Sequence, residues 1–134
     1  MNYEIRWHTL CDEAKQELGN TNIWRNDREY QVALIALKTY KLECFTRELY
    51  SNAPMLLEAH DPADLLRLYL INKHHWTLET VDSIEYPEGF HFLLGVELSQ
   101  MTLNAEEARP VRSSMRGRVN AELLEPHFAD QAES

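Results

Sequence analysis

Six histidines, two cysteines and twenty-two carboxylates are the side chains of this 134-residue chain that could do chemistry. The histidines are His8, His60, His74, His75, His91 and His127. A zinc site takes two ligands from one short stretch, at i and i+3 or i+4 where that stretch is helical. No two of these histidines have that spacing, and the adjacent His74 and His75 point apart on a helix or a strand. No metal and no cofactor is expected. His60, His74 and His75 flank one predicted helix, so a rival reading places them in the pocket of a small helical enzyme or ligand-binding bundle.

The carboxylates have more pattern. Glu79, Asp82, Glu85 and Glu88 recur every three residues, with no lysine or arginine between them. Paired acids catalyse proton transfer when burial or proximity splits their pKa values. On a helix, three-residue spacing instead puts the first three on one exposed stripe, with Glu88 just beyond a turn at Tyr86-Pro87-Glu88-Gly89. The expectation is a solvated acidic row that attracts a basic partner. Trp76 and Tyr86 stand beside it, and such aromatic residues anchor interfaces. Trp76, Glu79, Asp82, Glu85, Tyr86 and Glu88 are therefore the expected binding residues.

The charge of the whole chain points the same way. From Asp61 to Glu107 there are nine acids against Arg67 and Lys73, whereas residues 1–60 hold nine acids and seven bases. The net charge of −9 is mostly a property of the middle of the chain. A localised negative field selects basic partners and repels nucleic acid. The one basic run is Arg109, Arg112, Arg116 and Arg118. It is expected to fold back onto the acidic middle, and a nucleic-acid regulator built on it is a further alternative. Residues 63–84 have helix–turn–helix proportions, but 77–84 carry two acids and no base, which a DNA reader needs there.

Nucleophilic catalysis has no visible machinery. There is no Gly-x-Ser-x-Gly, phosphate loop or dinucleotide fingerprint, and four glycines leave little backbone for a phosphate cradle. Cys11 and Cys44 both fall on apolar faces of predicted helices, as small buried hydrophobes in a reducing cytosol. Burial raises a thiol pKa and so deactivates it. The N-terminus lacks the pattern of a signal peptide, and the longest apolar run, Val32 to Leu37, is far short of a membrane span. A cytoplasmic location is expected.

The elements that must hold these groups read as helices. Tyr3, Trp7, Leu10, Cys11, Ala14 and Leu18 share one face, and Gly19-Asn20 stops that helix. A loop at 20–26 carries Ile23 and Trp24. Asp27 caps a second helix running to about Tyr50, apolar over most of its first half and so expected at the centre of a bundle, with Leu37 and Phe45 buried. Its second half turns polar on one side through Lys38, Lys41, Arg47 and Glu48. A short helix is expected at Pro54–Ala59. Asp61-Pro62 is a cap followed by a first-turn proline, and starts a helix to about Asn72. Residues 73–76 connect it to a short helix, capped by Thr77, through Ile84.

Phe90, Phe92, Leu94, Val96 and Leu98 alternate as a half-buried strand would, yet the same stretch also fits a helix. Helix is the expectation, continuing unbroken to Arg109 and stopped by Pro110; a short β-hairpin around 83–98 is the alternative. Together these elements predict an all-α, single-domain irregular bundle of about five helices over residues 1–110. A C-terminal arm, 111–134, is expected to be weakly helical around Arg116–Leu124 and partly disordered. The functional expectation is a small acidic macromolecule-binding protein of inhibitor, immunity or adaptor type, non-catalytic and of undetermined oligomeric state.

Overall fold

A computed structural model describes residues 2–19 and 26–129. These residues are all-α, with eight α-helices, one 3-10 helix and no strand among them. The loop expected at 20–26, with Ile23 and Trp24, lies outside the described residues but for Asn26, and so does the chain beyond 129.

Local sequence chemistry sets most boundaries. α1 is Tyr3–Leu18; the Asn2 side chain accepts the Ile5 N–H at its start, and Gly19, at φ +66°, ends it in the left-handed region that glycine enters freely. α2 is Arg28–Leu49, and Asp27 takes the Gln31 side-chain amide at 3.2 Å. α3 is Pro54–Ala59. α4 is Pro62–His74, with the Asp61 carboxylate accepting the Asp64 N–H. α5 is Leu78–Asp82, capped by Thr77 through the Thr80 N–H. It stops two residues short of the expected Ile84.

Beyond Ser83 the chain departs further from expectation. The stretch expected as one helix to Arg109 is three: α6, Glu88–Leu93; α7, Gly95–Gln100; and α8, Ala105–Met115. The α6–α7 joint is slight, because the Leu94 N–H still donates to Phe90 O and the Leu98 N–H to Leu94 O. The break before α8 is real: Leu103 and Phe128 form an isolated parallel β-bridge, and Asn104 and Glu107 close a reciprocal capping box. Pro110 does not stop the helix; it lies inside α8 with its ring buried. At the sixth of eleven positions it forfeits one ladder bond, to the carbonyl of the exposed Glu106. The hairpin alternative at 83–98 is absent, since that stretch holds α6 and most of α7 and no strand.

Where a single bundle was expected, the chain divides into two compact units: residues 1–41 with 101–134, and residues 42–100. α2 runs through both. In the first unit, Trp7 and Tyr40 meet edge to face at 5.2 Å, the Trp7 indole N–H donates to Ser114 Oγ at 2.8 Å, and the Tyr40 hydroxyl donates to Glu107 O. Leu10, Val32, Leu37, Val111, Leu124 and Phe128 are among the other residues buried in that unit. The expected arm boundary at 110/111 therefore falls inside a helix, and Val111, Met115, Leu124 and Phe128 of the arm are buried. In place of a helix at Arg116–Leu124 there is a turn, then the 3-10 helix Ala121–His127.

The second unit buries Leu42, Cys44, Leu65, Leu66, Leu70, Val81, Phe90 and Leu94. Phe45, expected in the core, is half-buried and packs edge-on against Tyr69 at 5.9 Å. Lys41, expected on a polar face, is 6% exposed. Both cysteines are free thiols; Cys44 is buried, and burial pushes the half-buried Cys11 up to about 11.

Candidate interaction surface

The acidic row belongs to the second unit, where ten acids face only three bases, a net −7 of the chain's −9. Arg67, on α4, fastens the segment that carries the row. Its Nε donates to Val81 O at 3.2 Å and its Nη2 to Ile84 O at 3.1 Å, tying down the carbonyl end of α5 and the turn after it. Nη1 reaches Asp64 at 3.2 Å, and the guanidinium lies 5.8 Å from the centre of the Phe90 ring. Lys73 is committed too: its ammonium donates to Glu97 at 2.9 Å and holds that carboxyl below its ordinary range. Arg67 and Lys73 thus leave the row unbalanced.

Glu79, Asp82, Glu85 and Glu88 are all exposed, and no cation among the described residues pairs with any of them. Only Glu79 and Asp82 share α5, however. Because that helix ends at Asp82, Glu85 stands in the following turn and Glu88 opens α6. The expected three-residue helical stripe is a row of acids running from one short helix to the next. Trp76 is half-buried and stacks on His74 at 4.7 Å; Tyr86 is half-buried, 5.9 Å from Phe90.

The stretch after the row carries a second feature, one the sequence reading passed over. Phe90, Leu94 and Leu98 recur at i+4 and face inward. Phe92 and Val96 recur at the same interval, two residues out of phase, and two residues on a helix is about 200° of rotation. They point the other way: Phe92 is 86% exposed and Val96 66%, with Leu93 partly exposed beside them. The alternation that imitated a strand is a helix with an apolar stripe on each side. A strand would have buried all five on one face; the helix buries three and leaves two outside. Glu88 lies four residues before Phe92, on the same outer face of α6. α5 repeats the combination, with Leu78 64% exposed among Glu79 and Asp82.

The residues of the rival readings do not converge in this way. His60 ends α3, whereas His74 and His75 lie at the far end of the thirteen-residue α4. The rise of that helix separates them by about 20 Å. All three are exposed. Among the described residues no group of three or more His, Cys, Asp or Glu could hold a metal ion. In the arginine run, Arg112 is engaged within the first unit. It pairs with Glu125 at 3.1 Å and covers the Phe128 ring at 4.7 Å. Arg109 lines an open cleft of about 420 Å³ between α1 and α8, with Glu4, His8 and Glu106. Glu106 and Glu107, adjacent in sequence, part company: the first is exposed, the second fully buried as the capping-box acid.

One other pair of titratable groups is enclosed. Lys41 Nζ lies 3.3 Å from His127 Nδ1 in the first unit. Burial lowers the basicity of both, and the lysine's charge lowers His127 further.

No protein family, curated protein or solved structure matches this chain. No helix among the described residues is long and apolar enough to cross a membrane.

Proposed function

We propose that this is a non-catalytic binding protein, of inhibitor, immunity or adaptor type, that presents the acidic row of its second unit to a basic protein partner. One observation carries the reading: four exposed carboxylates in succession, Glu79, Asp82, Glu85 and Glu88, have no cation paired with them among the described residues, while Arg67 and Lys73 are spent on other contacts. Like charges held together without compensation cost stability, and a cationic partner relieves that cost. Trp76 and Tyr86, both half-buried, offer rigid aromatic edges beside the row. The intended setting is the cytoplasm.

The test is charge reversal. Glu79, Asp82 and Glu85 replaced together by lysine should leave the helical circular dichroism unchanged, because all three side chains are in solvent. Association with a partner recovered from the native host should slow at low salt, and the wild-type rate should itself fall as salt rises. A folded triple variant that associates at the wild-type rate in low salt would sink the reading.

A further inference from the structure

We propose that the outer face of α6 and α7 is a docking ridge for a basic amphipathic helix of a partner protein, gripped through Phe92 and Val96 and flanked by the carboxylates that precede them. This rests on the reading above and adds to it the shape and chemistry of the partner.

The observations are these. Phe92 and Val96 are one helical turn apart on the side of α6–α7 opposite the buried Phe90, Leu94 and Leu98, and Leu93 widens the apolar strip. Nothing in the packing of the second unit requires them to be apolar, since the inward stripe already supplies its core contacts. Residues 88–100 preserve helical phase across the slight joint at Leu94. The ridge is therefore about 20 Å long, the length of roughly thirteen residues of a partner helix. Side chains at i and i+4 form the ridges that interlock with the grooves of a second helix.

Charge decides the occupant. Glu88 stands on the ridge itself, and Glu85 directly precedes it; neither is paired among the described residues. A second copy of this chain would bring the same acids against them, and an anionic membrane surface would repel them. A helix with leucine-like residues at i, i+3, i+4 and i+7 and lysine or arginine on its flanks meets both halves of the surface, apolar on apolar and cation on carboxylate.

Two synthetic peptides of equal length and composition test this. One carries leucines at i, i+3, i+4, i+7 and i+11 with lysines between them; the other is the same residues in scrambled order. Each is titrated into the isotope-labelled full chain and followed by amide chemical shifts and by calorimetry. The patterned peptide should shift the amides of residues 88–97, and the scrambled peptide should bind about tenfold more weakly or not at all. Phe92→Ser with Val96→Ser should keep the fold, both side chains being outside the core, and should weaken the patterned peptide by about tenfold, the loss of two interface anchors. Equal binding of the two peptides, or an unchanged affinity in the serine variant, overturns the ridge. If the triple lysine reversal still abolishes binding in that case, the acidic reading stands without it. If neither peptide binds and the reversal changes nothing, both fall. Sedimentation showing a dimer that the serine variant dissolves would put a second copy on the ridge and overturn the basic partner.

Discussion

Replacing Arg67 by methionine should unfold the second unit more easily than any comparable surface change, and the size of the effect follows from three contacts. Methionine keeps much of the aliphatic stem and removes the guanidinium. Two lost bonds run to backbone carbonyls, Val81 O at 3.2 Å and Ile84 O at 3.1 Å. A hydrogen bond from a charged donor contributes about 1.5–3 kcal/mol. Val81 O keeps a second donor, the Ile84 N–H at 3.1 Å, so its loss lies at the low end. The third contact, to Asp64, is made to a side chain 55% exposed, and contributes about 0.5 kcal/mol or less. The sum is about 3–5 kcal/mol. In urea, with a slope of about 2 kcal/mol per molar, the midpoint should fall by about 1.5–2.5 M. Arg67→Lys should recover less than half, because an ammonium is a point donor and cannot span two carbonyls and a carboxylate at once. A methionine variant within about 0.5 kcal/mol of wild type, or full rescue by lysine, would refute the assignment of Arg67 as the fastener of α5 and its turn.

Three further outcomes are expected. Leu37→Ala, at a buried position of the first unit, should cost about 2–5 kcal/mol in urea unfolding, and Phe45→Ala, at a half-buried one, should fall at or below the low end of the large-to-small range. Gly89→Ala should destabilise, against the usual gain of about 1 kcal/mol for that change in a helix, because the new Cβ would stand 2.6 Å from Ile84 Cγ2; a rise in melting temperature would show that Ile84 gives way freely. His127 has its folded-state pKa depressed by burial and by Lys41, so the unfolded chain binds its proton first. Stability from this group is intact above the ordinary imidazole value of about 6.5 and is lost as pH falls from there through the lower folded value. His127→Gln should remove that part of the slope as pH falls below about 6.5, and identical slopes in the two proteins would contradict it.

Helix starts were legible where a side chain or a proline acts within its own turn. Asp61-Pro62, Thr77 and Pro54 each mark an observed start, and Gly19 an observed end. What was not legible depends on distant partners. Nothing local announces that Leu103 bridges Phe128, or that Val111 and Leu124 find a common core, since sparse apolar residues in a polar tail acquire meaning only from what they meet. Pro110 misled for the same reason: a proline's local cost was outweighed by burying its ring. The Asn104-x-x-Glu107 box, by contrast, was written in the sequence, as a capping pair at the correct spacing. Among the proposed binding residues, exposure of the acids could be read directly. The outer stripe could have been read as well: once 90–98 is taken as helix, strict alternation forces Phe92 and Val96 to the face opposite Phe90 and Leu94.

That outer stripe also bears on how the protein behaves at high concentration. A phenylalanine 86% exposed is a point of adhesion between copies, and at neutral pH the −9 charge keeps copies apart. The sequence isoelectric point is about 5.1, and in mildly acidic solution that repulsion vanishes while the apolar surface is unchanged. Colloidal stability should therefore collapse near that pH with the fold still intact, and turbidity there should be much lower when Phe92 and Val96 are serine. The acids around the ridge would then serve two ends with one charge, drawing in a cationic partner and denying the same surface to the protein's own copies.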